Sequence, residues 1–181
     1  AYEIRPRDWS SDVCSSDLGD WGHNPLPYAR PDELPGEPCY CGKSGCIETW
    51  LSGYSFAREY ARLTGTDLLP AQIMERRRAG EGAADEVYAQ WIDRVGRGLS
   101  VVVNTLDPDV FVMGGGMSNI DELYDDLAPA IGAYTFSPVF ATPIVRSVHG
   151  DSSGVRGAAW LWRDQIGDVP SQNDDTSGAQ R

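Results

Sequence analysis

An α/β fold is the class this sequence predicts, and three observations predict it. A short apolar run, Val110 to Met113, feeds directly into Gly114-Gly115-Gly116; a helical pattern follows the glycines; and a second strand-type run occupies Ile144 to Val148. Strand, glycine turn, helix and strand in that order is the alternation of α/β proteins. With 181 residues, 41% of them apolar, the chain is long enough for one domain with a substantial core.

The elements follow in chain order. Residues 1–18, AYEIRPRDWSSDVCSSDL, carry neither a helical stripe nor strand alternation, and Ser10 to Asp17 is a Ser/Asp-rich run. RDWSSDVCSSDL resembles a translated sequencing-adapter read, so the segment is set aside from fold reasoning as non-native; a genuine disordered leader is the alternative. The domain is expected at 19–163. From Asp20 to Gly45, five prolines between Pro25 and Pro38 exclude a long helix and discourage a central strand, leaving an extended loop that something other than a core must hold. Ile47 to Leu63 reads as one helix through Ile47, Trp50, Leu51, Tyr54, Ala57, Arg58 and Ala61, with Gly65 as its stop signal. Pro70 to Arg78 reads as a short helix. The break Gly80-Glu81-Gly82 precedes a long one at Ala84 to Leu106, striped by Val87, Trp91, Val95, Leu99, Val102 and Val103 and ended by Asp107-Pro108. Beyond the glycine triplet a helix is expected from Ser118 or Asn119 to about Tyr134, with Asp121 and Glu122 complementing the dipole in its first turn. A closing helix is expected at Ser153 to Trp162, and the polar stretch 164–181 as a disordered tail.

Composition narrows the function classes. Fifteen Lys and Arg against 27 Asp and Glu leave a net charge of −12, which repels a phosphate backbone, so nucleic acid is not an expected partner. No apolar run approaches the roughly 20 residues of a membrane span, and no signal peptide is evident; a cytoplasmic protein is expected. Of four cysteines, three lie within eight positions, a spacing that suits metal ligation in a reducing compartment better than a disulfide scaffold.

His23, Cys39, Cys41 and Cys46, spaced H-x15-C-x-C-x4-C, provide one imidazole and three thiolates, the ligand set of a closed tetrahedral structural zinc site. Gly42 and Gly45 flank Lys43-Ser44 and allow the sharp turn that returns Cys46 to Cys41. Idle thiols in a loop are the bland alternative, but unused core cysteines have apolar neighbours, and these sit among Pro, Gly and Lys.

Four ordered segments, GHNPLP, PCYCGKSGCIETWLSG, DPDVFVMGGGMSN and HGDSSGVRGAAWLW, resemble successive signatures of the ROK sugar kinases, most closely their bacterial fructokinases. The likeness runs from about Gly19 to Trp162. It implies an actin-like (ribonuclease H-like) fold, of which this chain is most of the larger, C-terminal lobe with its zinc loop. It implies zinc on His23, Cys39, Cys41 and Cys46, and sugar contacts from Asp20 (where the family normally has Glu), His23 and Glu48. It assigns Gly114, Gly115 and Gly116 to the adenosine side of ATP, with Mg accompanying the nucleotide.

Taken alone, these residues have plainer readings. Glu48 is also an acid that a helix start favours, and a glycine triplet is also a tight β-to-α turn. Carboxylates nevertheless suit sugar hydroxyls because they accept charge-assisted hydrogen bonds. No GxxxxGK[ST] occurs, so this is not a P-loop enzyme. The family's DxGGTK hairpin is also absent from these 181 residues, and the Asn-Asp pair bearing the catalytic base is expected with that hairpin on the N-terminal lobe. No catalytic residue is therefore assigned here, and the chain by itself is expected to be inactive. Asp151, in the turn before the closing helix, reads as an N-cap. The parent enzyme is expected to transfer phosphate from MgATP to D-fructose, with a glucose or N-acetylmannosamine kinase as the near alternative and a sugar-sensing ROK repressor as the distant one. The resemblance leaves room for a homodimeric parent.

Overall fold

A computed structural model describes residues 20–152. The leader, the closing helix at Ser153 to Trp162 and the tail, as expected from sequence, lie outside the described residues. Two 3-10 turns, Trp21–His23 and Pro31–Glu33, open the described chain. Then come α1 (Glu48–Leu51), α2 (Gly53–Thr64), α3 (Pro70–Arg78), α4 (Gly82–Leu106), β1 (Phe111–Met113), α5 (Leu123–Gly132) and β2 (Ile144–Arg146). β1 and β2 pair in parallel, Phe111 with Ile144 and Met113 with Arg146, so β1, α5 and β2 form the βαβ unit that the strand–glycine–helix pattern predicts. Among the described residues no helix is long and apolar enough to cross a membrane.

The single helix expected at 47–63 is two helices. Ser52 is extended at its junction (ψ 155°) and its hydroxyl accepts the Ser55 amide, so a Ser-Gly pair caps a new helix where the stripe alone suggested continuity. The break changes the phase: α2 buries Ser55, Phe56 and Tyr60, while Tyr54 of the expected stripe is exposed. Gly65 does stop α2, in the left-handed conformation at φ 72°. The helix expected from residue 118 or 119 starts later, at Leu123. Residues 116–119 form a 3-10 turn and Ile120 runs extended, which sends its side chain into the core. Asp121 and Glu122 therefore stand before the helix and pair with Arg146 and Arg78.

α4 is the central beam. Val87, Trp91, Val95 and Leu99 are buried as the stripe predicts, against Phe56 and Tyr60 of α2, Ile73 and Met74 of α3, and Leu123, Leu127 and Ile131 of α5. Each such side chain contributes about 1.5–3 kcal/mol on burial. α5 lies unusually close to α4 because Gly96 faces it: a Cβ there would stand 2.6 Å from the Ala130 carbonyl. Two residues on, Gly98 receives the ring of Trp21, whose Cζ2 would be 3.0 Å from an added Cβ. One helix thus carries the α5 contact and the start of the proline-rich loop.

Candidate functional site

The loop from Asp20 to Cys46 is held together by backbone pairing as well as side chains. Leu26 donates to the Gly45 carbonyl, Ile47 to Asn24, Gly45 to Glu37 and Cys39 to Lys43, which folds residues 37–46 into a knuckle. Gly42 (φ 85°) and Gly45 (φ 72°) take the left-handed conformation that the turn was expected to need. Gly36 also matters, a point the sequence reading missed: a Cβ on it would lie 2.4 Å from Gly45 Cα, so the two limbs of the loop cross glycine on glycine.

This fold gathers His23, Cys39, Cys41 and Cys46 so that one ligand atom from each lies within 4.8 Å of all the others. Cys41 Sγ is 3.6 Å from Cys46 Sγ, and Cys39 Sγ is 3.5 Å from His23 Nδ1. Two thiolates on one tetrahedral zinc would be about 3.8 Å apart. The donor set therefore fits that ion in both chemistry and spacing, and none of the three cysteines is in a disulfide. Burial, and then the neighbouring sulfurs, push the Cys46 thiol up to about 12, whereas the Lys43 backbone amide lowers Cys41. A buried thiol of that kind ionises when a cation shares its site.

Asp20 and Glu48 stand beside the cluster. Asp20 Oδ1 accepts the Gly22 amide at 2.8 Å, and its Oδ2 is 3.5 Å from His23 Nε2. Glu48, in the first turn of α1, reaches Cys39 Sγ with Oε1 at 3.7 Å. An added Cβ on Gly22 would meet Asp20 Oδ1 at 3.1 Å and Glu48 Cβ at 3.6 Å, so the glycine allows two carboxylates to flank the imidazole. His23 turns Nδ1 toward the sulfurs and Nε2 outward. A cation on Nδ1 would place the remaining ring proton on Nε2, making that nitrogen a donor. Its nearest partner is the hydroxyl of Tyr40, at 2.7 Å, although Tyr40 is otherwise 82% exposed. Tyr40 was not anticipated; its position between two ligand cysteines was the available signal.

Gly114, Gly115 and Gly116 form the turn after β1, with Gly115 at φ 74°. A Cβ on any of the three would meet nothing within 4 Å, so packing among the described residues does not explain the triplet. The turn rims an apolar cavity of about 290 Å³ whose other walls include Trp21, Leu51, Trp91, Val95 and Met117. Trp21, one of those walls, follows Asp20 directly in the chain, whereas Asp20, His23 and Glu48 themselves are not among the cavity's lining. Asp151 lies in the 3-10 turn Gly150–Ser152, and the helix it was expected to cap is outside the described residues.

Residues 16–165 match the ROK family model. The chain is 35% identical over 147 residues to an N-acetyl-D-glucosamine kinase of Photobacterium profundum, covering 79% of this chain and 48% of that protein. Among solved structures it resembles a ROK glucokinase from Streptomyces griseus, in complex with glucose and AMPPNP, at TM-score 0.68 and 25% identity over 81% of this chain and 52% of the other. It also resembles a ROK hexokinase from Thermus thermophilus, at TM-score 0.65 and 28% identity over 82% and 48%. The chain spans about half the length of the curated relatives it matches. With the family model covering most of its length, this chain belongs to the ROK family.

Proposed function

We propose that the protein of which this chain is part phosphorylates a hexose or N-acylated amino sugar with MgATP. The observation that carries this reading is the His23–Asp20–Glu48 group, placed against a zinc-type ligand cluster. Asp20 and Glu48 accept from sugar hydroxyls, and His23 Nε2 donates to a sugar oxygen once Nδ1 is committed to the metal. Zinc on His23, Cys39, Cys41 and Cys46 supplies structural fixation and no acid–base chemistry. The Gly114–Gly116 turn lets backbone approach the nucleoside of ATP closely, with Mg at its phosphates. The base that deprotonates the attacking hydroxyl is assigned to the remainder of the parent protein. Support for kinase chemistry comes from the relatives' own names. D-fructose as the sugar rests on the motif resemblance alone, whereas the relatives quoted above are named for N-acetyl-D-glucosamine, glucose and hexoses.

An ADP-release assay on the parent protein, with D-fructose, D-glucose, N-acetyl-D-glucosamine and N-acetyl-D-mannosamine in parallel, tests both levels of the reading. Turnover with one of the four is expected. Sugar binding without ADP release would instead favour a sugar-sensing regulator, and release of ADP with fructose alone would select the fructokinase reading.

A further inference from the structure

The loop that carries the metal ligands is fastened at a second point, remote from sulfur. Glu33, 4% exposed, ends the 3-10 turn Pro31–Glu33 and is saturated with donors. Its Oε1 accepts from Arg94 Nε at 2.8 Å and an Arg97 terminal nitrogen at 2.7 Å; its Oε2 accepts from the other Arg97 terminal nitrogen at 2.7 Å and the Arg30 amide at 2.9 Å. Arg97, 1% exposed, also donates to the Tyr28 carbonyl at 2.9 Å. Asp93 completes the group, 3.0 Å from both Arg97 Nε and Arg30, and it accepts the Tyr134 hydroxyl. The Arg94 guanidinium lies 4.5 Å above the ring of Trp50, two residues after Glu48. Burial alone would raise the Glu33 pKa, but the bonds from Arg97, the Arg30 amide and Arg94 outweigh it and hold the carboxyl at about 2.

A buried ion cluster of this sort is poor evidence of added stability, since apolar side chains of similar volume often serve as well. What it fixes is register. Four directed hydrogen bonds on one carboxylate leave the backbone of residues 28–33 a single seat on α4, whereas apolar contact would let it slide. Glu33 lies ten residues after His23 and six before Cys39. With the loop free, metal must close the 16-residue span from His23 to Cys39; with Glu33 seated, it closes the six-residue arm.

We propose that Glu33 is a positioning residue of the metal site, which, by locking the middle of the loop onto α4 through Arg94 and Arg97, presents His23 and the Cys39–Cys46 knuckle at ligating separation before metal binds. This rests on the zinc reading of the cluster. Loop closure alone makes the difference about fourfold in metal affinity, and supporting contacts around metal ligands are commonly worth about 10- to 100-fold. About tenfold is expected. The same helix lines the glycine-turn cavity with Trp91, Val95 and Leu99, so the clamp also sets the loop's place relative to that cavity.

The test titrates the full 181-residue chain with Zn²⁺ and Co²⁺ against a chromophoric chelator. The native chain should bind one Co²⁺ with the absorption of a tetrahedral thiolate site. Glu33→Gln should keep that spectrum, because all four ligands remain, and bind about tenfold more weakly. Arg97→Lys should shift affinity in the same direction by less, since an ammonium cannot serve both Glu33 oxygens and the Tyr28 carbonyl at once. Gly96→Ala, whose added methyl group meets Ala130 of α5 and leaves every Glu33 partner in place, should bind as the native chain does, so a general loss of stability is told apart from loss of positioning. Native affinity in a folded Glu33→Gln or Arg97→Lys chain would overturn the proposal; if Glu33→Gln does not fold, Arg97→Lys decides. A native chain that binds no metal would remove the site itself, and the proposal with it.

Discussion

The proline-rich loop, residues 20–46, and the helical body of α2 to α5 are ordered by different forces. The body buries Phe56, Tyr60, Ile73, Met74, Leu123, Leu127 and Ile131 almost completely. The loop buries one large apolar side chain, Leu26, beside two ligand cysteines, and otherwise depends on the thiol–imidazole cluster, the Glu33 clamp and scattered backbone bonds. Apolar burial is indifferent to chelators and nearly so to pH. Ligand and charge chemistry responds to both, so the segment that carries Asp20 and His23 and leads into Glu48 of α1 is the one whose order can be switched off separately.

The largest expected effect is metal removal. Structural zinc sites supply apparent free energies of about 10–16 kcal/mol at neutral pH, far beyond any other single contribution to the loop. The chain as purified should carry one zinc by elemental analysis. Stripping it should reduce, without abolishing, hydrogen-exchange protection at the Leu26, Cys39, Gly45 and Ile47 amides while α4 stays fully protected. If α4 loses protection in step with them, loop and body are one cooperative unit and the contrast fails.

Next comes the side chain that joins the loop to the proposed chemistry. In the parent protein, Glu48→Gln preserves shape and removes charge. A sugar hydroxyl that loses a charged acceptor forfeits about 1.5–3 kcal/mol, so kcat/KM for the sugar should fall at least about tenfold. Zinc content and nucleotide affinity should stay at native values. An unchanged kcat/KM would return Glu48 to the role of a helix-start acid.

The two regions also differed in how much of them the sequence disclosed. The thiol–imidazole cluster was legible because cysteine is scarce and His23, Cys39, Cys41 and Cys46 keep a spacing that has few other uses. α3, α4 and the β1-glycine turn were legible from apolar period and from Gly and Pro punctuation. The clamp was not. Glu33 is one acid in a polar stretch, and its partners Arg94 and Arg97 lie 61 and 64 residues away. The available signal was two arginines, one on either side of Val95, on a helix otherwise rich in apolar residues. Nor were Gly96 and Gly98 legible, because a glycine's value lies in what approaches it, here Ala130 and Trp21. Ser52 lost to the continuity of the stripe because capping competes with periodicity over one residue, and a pattern count averages over many.

Gly96→Ala measures the body by itself. A methyl group 2.6 Å from the Ala130 carbonyl forces α4 and α5 apart, and overpacking of this kind costs about 1–3 kcal/mol. Urea unfolding followed by α-helical circular dichroism should show the midpoint fall by that margin. A midpoint at or above the native value would mean that α5 shifts freely, and that the body is less tightly packed than its glycine contact implies.

Acid provides the finest comparison, because it acts on both regions in sequence. Glu33 and Glu122 are each held at about 2. For Glu122 the main cause is the Arg78 fork, at 2.7 and 2.9 Å, which ties the end of α3 to the start of α5. Both folded pKa values lie below the ordinary glutamate value of about 4.3. Their stabilisation is therefore complete above that pH and is lost as pH falls from about 4.3 toward 2. Zinc competes with protons for imidazole and thiolate, classes of group that ordinarily protonate at higher pH than a carboxylate. Acid titration should accordingly proceed in two steps: zinc release with loss of loop protection first, then weakening of the clamp and of the α3–α5 tie with α4 still largely helical between them. Glu122→Gln should alter only the second step. Its pair is partly exposed, so the loss at neutral pH should be under about 1 kcal/mol, smaller in high salt, and should vanish against the native chain near pH 2. A single acid transition in which zinc release and α4 unfolding coincide would show that the loop's chemistry governs the whole chain.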